Sequence, residues 1–347
     1  MKRFLWTVLA CAFVASPAFA SPATYRAAQT YVLGGDGGWD YLTYDGGSKR
    51  LFISRGTHVM VVDPSAGKVV GDIPDTGGVH GIAIAGDLKK GYTSNGRGNS
   101  VTVFDLATLK TLATLSVGGN PDAILYDAAT KRIVTFNGGS KDATIIDAQT
   151  DTLAGTVALG GRPEFATVDG RGMAYDNIED TNEQVAIDLR AVKVVKRWKL
   201  TGCDGPSGLA MDQRSRRLFA GCSNAVMAIS DPDAGTVVAT VPIGKGSDAI
   251  GFDAGTMFAF SSNGEGTMTV VHEDSSTAFS VAQTATTQPG ARTLAVDGGS
   301  HNVYLVTALF DMVPPAATAT PLPNGQMPGP RRVARPGTFS LLVMTPQ

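Results

Sequence analysis

Short apolar runs, separated by small or polar turn residues, recur along this chain at a nearly constant interval. In the stretch 79–119, VHGIAIAGDLKKGYTSNGRGNSVTVFDLATLKTLATLSVGG, four runs follow one another: one after a small-residue turn, a second ending in Asn, a third ending in Asp and a fourth ending in Gly-Gly. Each run has the length of a strand, so the pattern predicts four short strands per copy. Two anchors measure the period. The Asp that closes the third run recurs as Asp63, Asp105, Asp147 and Asp188, and Ser230 and His272 continue the frame, in steps of 41 or 42 residues. The residue just ahead of the first strand recurs as Asp40, His80, Asp122, Glu164, Ser207, Asp248 and Arg292, in steps of 40 to 44.

Seven copies of four strands at this period predict an all-β chain, a seven-bladed β-propeller. A single blade cannot bury its own faces and must stack in a ring. Residues 25–35, YRAAQTYVLGG, match the fourth run of a copy but follow no first three, while the last copy ends after its third run, TFSLLVMTP. The two deficits match. The N-terminal strand is therefore expected to complete the last blade, a three-plus-one closure that removes an open sheet edge.

Residues 1–20 carry Lys2 and Arg3, an apolar core and Ala18-Phe19-Ala20 before Ser21. They read as a cleaved signal peptide, with residues 21–347 forming one propeller domain in the periplasm or outside the cell. The apolar core is short for a bilayer span, and no other stretch would supply a membrane span in the mature chain. Loss of Lys2 and Arg3 leaves 27 of the 29 basic residues against 31 acidic ones, net −4. That balance and the few aromatic residues among the face loops speak against nucleic-acid binding.

The turns carry their own chemistry. In Asp63-Pro64-Ser65-Ala66-Gly67 and Asp231-Pro232-Asp233-Ala234-Gly235 the first Asp is placed to bond the backbone two residues on, a structural role that explains the whole Asp series. The second runs show a further regularity: Tyr92-Thr93-Ser94-Asn95, Val134-Thr135-Phe136-Asn137, Ala174-Tyr175-Asp176-Asn177 and Phe260-Ser261-Ser262-Asn263. With the following strand ending in Asp and a later Gly-Gly-x-Pro, they resemble the YVTN repeat, and the chain over residues 25–347 resembles the YncE-like, YVTN-repeat β-propeller family. Arg55, Cys222 and Ala308 depart from the pattern at the Asn position. The resemblance implies a secreted or periplasmic seven-bladed propeller. It leaves the reaction open, since some members of the family are described as DNA-binding and related propellers include lactonases and carrier subunits of redox enzymes.

Propeller geometry nominates the candidate site. First strands line the central channel, and the loops entering them share a face with the loops between second and third strands. The candidate ligand-binding residues are thus an inner ring of Asp40, His80, Asp122, Glu164, Ser207, Asp248 and Arg292, and an outer set of Arg55, Asn95, Asn137, Asn177 and Asn263. Four carboxylates around a narrow mouth favour a cation or a polar ligand. Structural readings stand beside these: the Asn residues as left-handed turn residues or loop caps, the carboxylates as acceptors of backbone amides or partners of Arg292. No cofactor is expected beyond a possible divalent cation. A single His80 with scattered carboxylates is a weak zinc signal and suits calcium better. His58, His272 and His301 fall outside the mouth.

From His272 to its counterpart Thr345 are 73 residues, 31 more than one period, and the excess falls between the second and third strands of the last blade. This Pro-rich insertion, at about 309–337, carries Arg331, Arg332 and Arg335. It reads as a lid across the acidic mouth or as a disordered spacer. Cys203 and Cys222, the pair left after the signal, are expected to form a disulfide, because the first hairpin of blade five brings Cys222 near the loop that holds Cys203. No G-x-S-x-G, H-E-x-x-H, G-x-x-x-x-G-K-[ST] or C-x-x-C-H motif occurs. The expectation is a monomeric binding module for a protein or small-molecule partner, without catalysis of its own. A lactonase-like or metal-dependent hydrolase built on His80 and the carboxylates is the alternative, and nucleic-acid binding the third.

Overall fold

The computed structural model describes residues 24–35, 37–315 and 329–347; the expected signal peptide, 1–20, and the middle of the insertion lie outside them. Among the described residues, seven four-stranded antiparallel sheets form the blades of a β-propeller, accompanied by one two-stranded hairpin. Each of the first six blades takes its strands in sequence order, and the seventh is ordered Tyr25–Val32, Ser340–Pro346, Asn302–Thr307, Leu294–Asp297. Tyr25 pairs with Pro346 and Val32 with Ser340, so the N-terminal strand does close the ring. The Tyr25 ring meets Phe260 edge-on at 5.0 Å, tying the closure to blade six.

Burial explains the run pattern. The second and third strands lie between neighbouring blades and are covered on both faces, so they read as continuous apolar runs such as Val59–Asp63 and Arg50–Ser54. Fourth strands form the rim and are half-exposed, as in Thr111–Ser116. Toward the axis the first strands crowd together. A Cβ at Gly208 would fall 2.5 Å from the backbone nitrogen of Ile250, so only glycine permits that approach between blades five and six.

The third-to-fourth turns are Asp clasps. Asp63 Oδ1 accepts the amides of Ser65 and Ala66 at 2.9 and 3.3 Å, and Asp105 those of Ala107 and Thr108 at 3.1 and 2.7 Å. In blade five the clasp belongs to Asp231, which accepts Asp233 and Ala234, one residue beyond the Ser230 of the sequence frame. In blade six the third strand runs on through His272 to Ser275, so that copy has no such Asp at the frame position.

The last blade's second and third strands are separated by the insertion, whose described ends form a hairpin, Phe310–Val313 with Arg331–Ala334. Phe310 packs against Trp39 at 6.1 Å, next to Asp40 in the chain.

Candidate functional site at the channel mouth

A β-bulge aims the inner ring. In four blades the first residue of the first strand pairs with the residue at the Asn position of the second strand, Val79 with Asn95, Pro121 with Asn137, Pro206 with Cys222 and Ser247 with Asn263, and in blade four Pro163 pairs with Ile178, one residue past Asn177. The register then shifts, and the ring residue sits inside that irregularity, where a bulge turns its side chain out of the ladder. His80, Asp122, Glu164, Ser207 and Asp248 are therefore second residues of their strands, not residues ahead of them, whereas Asp40 and Arg292 do precede Leu42–Asp45 and Leu294–Asp297.

The ring is a connected polar circuit over much of its circumference. His80 Nδ1 lies 2.7 Å from Asp40 Oδ2 and 3.7 Å from Asp122 Oδ1. Arg292 Nη1 meets Asp248 Oδ2 at 2.8 Å, and its Nη2 approaches Asp40 Oδ1 at 3.9 Å. Ser207 Oγ donates to Asp248 at 3.1 Å. Glu164 pairs with Arg162 at 3.1 Å, and Arg162 is shared with Glu179 at 3.0 Å. Tyr41 and Phe165, each following a ring residue, bring their rings within 4.8 Å beside a cavity of about 130 Å³. The mouth is thus a cup with an acidic rim and an aromatic floor.

Its electrostatics follow from burying more negative than positive charge. Burial pushes Asp122 up to about 6, with His80 opposing and Asp40 adding to the shift. Burial pushes Glu164 up to about 8, reinforced by Asp122 and Glu179 and offset in part by Arg162. Burial also raises Asp248 against the pull of Arg292. The Asp40 hydrogen bond raises His80, against its own burial. Burial raises the partly buried Tyr41 well above a free phenol, and the charges of Asp122, Asp40, Glu164 and Asp248 add to the shift.

Two members of this environment escaped the sequence reading. Tyr41 packs on Phe165 and feels all four ring carboxylates, yet looks in sequence like any strand residue. Asp176 stands where blades two and six have Ser94 and Ser262, whose hydroxyls bond first-strand backbone beneath the ring. It is fully buried, neither oxygen has a hydrogen-bond partner among the described residues, and burial followed by the charge of Glu164 raises it well above a free carboxyl. The available signal was an Asp in a serine position of the fourth repeat.

The outer set does not reach the mouth. Asn95, Asn137, Asn177 and Asn263 are at most 2% exposed, and their amides are consumed inside the sheets. Asn137 accepts from Thr135 at 3.0 Å and donates to Asp142 and Thr144 at 2.6 and 3.0 Å, and Asn95 and Asn263 repeat the motif. Asn177 instead donates to the Ser207 carbonyl at 2.7 Å, linking blade four to blade five. Nor are they left-handed: Asn95 is extended at φ −117°, and the positive φ falls four residues on, at Asn99. Arg55, also 2% exposed, donates to the carbonyls of Gly34, Gly37 and Gly38 and lies 3.6 Å from the Phe339 ring centre. These residues build the sheets and the closure, because their polar groups have no route to solvent.

Cys222 takes the Asn position of blade five and is bonded to Cys203 in a disulfide with 5.4 Å between Cα atoms. Both are buried. In the hairpin, Arg335 pairs with Asp311 at 2.7 Å and Arg332 lies over Phe310 at 4.3 Å; among the described residues no ion pair joins Arg331, Arg332 or Arg335 to the ring. His58, His272 and His301 pair with Asp72, Asp274 and Asp253, away from the mouth. A concavity of about 690 Å³ lies in the cleft of blades seven and one beside Tyr44 and Tyr304. It is lined mainly by turn residues and does not gather the charged groups that distinguish the mouth.

Asp40, His80 and Asp122 each offer a ligand atom within 4.8 Å of the others, so three successive blades bring together a donor set that the spacing left scattered. No helix of the described residues is long and apolar enough to cross a membrane. No family model matches the chain, and no curated protein matches it. Among solved structures it is similar to hydrazine synthase of Kuenenia stuttgartiensis, with 15% identity and a TM-score of 0.68 over 77% of this chain and 92% of that one. At that identity the likeness shows the fold alone, and it agrees with the blade topology: the chain is a seven-bladed β-propeller.

Proposed function

We propose that this propeller, a YncE-like protein by its YVTN-type repeats, is a periplasmic or secreted binding module whose channel mouth takes a positively charged group of a ligand or partner. The observation that carries this is the excess of buried negative charge: Asp40, Asp122, Glu164 and Asp248 share one cup, and Asp122 and Glu164 are held at about 6 and about 8. A cation entering the cup relieves that repulsion, and the Tyr41 and Phe165 rings offer it an aromatic floor. A phosphate backbone would meet carboxylates instead. The Cys203–Cys222 disulfide suits an oxidising compartment, and the absence of a nucleophile motif favours binding over catalysis.

Calorimetric titration with spermidine at pH 8 and low salt tests the reading. Binding that weakens with salt and disappears in the Asp122→Asn/Glu164→Gln double variant is expected. Absence of binding, or equal binding by the folded double variant, refutes it.

A further inference from the structure

We propose that Asp40, His80 and Asp122 form a site for one divalent cation of the manganese-to-zinc series. This rests on the reading of the mouth as a cation site and names the ion that its blade-one to blade-three arc selects.

The geometry is close to a coordination shell. A tetrahedral ion with bonds of about 2.0–2.1 Å holds its ligand atoms about 3.3 Å apart. The His80 contacts of 2.7 Å to Asp40 and 3.7 Å to Asp122 straddle that separation, so small side-chain rotations admit an ion between the three groups. All three side chains are partly buried, at 22%, 31% and 18% exposure, deep enough to shed water and open enough for entry.

The backbone beneath them is pinned. Ser54 Oγ accepts the Asp40 amide at 3.0 Å, and Ser94 Oγ accepts the Gly81 amide at 2.9 Å while donating to the Asp122 carbonyl. One serine position of the repeat thus anchors all three ligand-bearing segments. Independently, Asp176 leaves a buried carboxyl without a hydrogen-bond partner under Glu164, and no Lys or Arg among the described residues lies within ion-pair distance of Asp122. Among the described residues the one Lys or Arg within ion-pair distance of the triad is Arg292, 3.9 Å from Asp40, and its closer partner is Asp248 at 2.8 Å.

Donor chemistry chooses the ion. One imidazole with two carboxylates suits a borderline first-row ion, whereas calcium seeks six to eight oxygens, more than this arc provides. Three protein ligands leave coordination positions for water or for a donor group of a bound molecule.

The experiment uses the mature protein stripped with a chelator and dialysed, then titrated separately with Zn²⁺, Mn²⁺, Ca²⁺ and spermidine. One Zn²⁺ or Mn²⁺ per chain, held at least about tenfold more tightly than Ca²⁺, is expected. His80→Ala and Asp122→Asn should each weaken it by about 100-fold or more, while His272→Ala, outside the mouth, leaves it unchanged. Circular dichroism confirms that each variant is folded, and the visible spectrum of the Co²⁺ form reports loss of the nitrogen ligand without reliance on affinity. Calcium preference, or undiminished zinc binding by both folded variants, overturns the proposal. Spermidine binding without metal binding overturns the metal site and leaves the broader reading standing; binding of neither overturns both.

Discussion

Replacing Glu164 by Gln should make the metal-free protein more stable, and increasingly so as pH rises. Glu164 is 14% exposed, and burial, with Asp122 and Glu179 nearby, pushes it from 4.5 up to about 8. A carboxyl whose folded pKa is raised adds stability that is complete below the unfolded pKa and is lost as pH climbs through the folded one. The window is therefore about pH 4.5 to 8. At 1.36 kcal/mol per pKa unit the penalty is about 1 kcal/mol at pH 5 and about 3 kcal/mol at pH 7. The attraction of half-exposed Arg162, shared with Glu179, is already contained in that pKa and is not subtracted again. The expected gain at pH 7 is therefore about 3 kcal/mol. Urea denaturation of both proteins at pH 5 and pH 7, in chelator, measures it. A variant no more stable than the wild type at pH 7, or an advantage that does not grow between the two pH values, would refute the account of a charge-starved mouth.

Three further outcomes test the scaffold. Deleting residues 24–32 should lower the melting temperature sharply, since it exposes the Ser340–Pro346 edge and removes the buried Tyr25 ring from Phe260; an unchanged melt would dissolve the closure argument. Cys203→Ser/Cys222→Ser should cost about 3 kcal/mol on the chain-entropy account of a loop with a separation of 19, read by denaturant melts, and thiol titration of the denatured, unreduced mature wild type should find no free thiol. Asn137→Ala should cost about 1–3 kcal/mol by orphaning Thr135, Asp142 and Thr144, with cation binding at the mouth unaltered; loss of binding without loss of stability would return Asn137 to the ligand surface.

How much of this was legible in the chain follows from how local each signal is. The period, the strand count, the Asp clasps and the missing fourth run of the last copy are all written within one or two repeats, because each blade is a self-similar unit whose hydrogen bonds close over short distances. Even the three-plus-one closure could be read, from Tyr25–Val32 matching the strand absent after Ser340–Pro346. The Cys203–Cys222 pair was legible for the same reason, as one hairpin sets its reach.

What a conspicuous side chain does was decided elsewhere. Asn137 and Arg55 look like loop residues in sequence, yet the ladder and the packing of the next blade bury them and use up their polar groups. Asp40, His80 and Asp122 stand about forty residues apart and became neighbours only through ring closure and the bulges that turn the latter two inward. Charge repulsion in the cup likewise exists only after four carboxylates from four blades are drawn into one poorly solvated space. The sequence by itself determined the repeating scaffold, since strand pairing and turns obey local periodicity; the tertiary structure alone decided the site, since burial and convergence are properties of the closed ring.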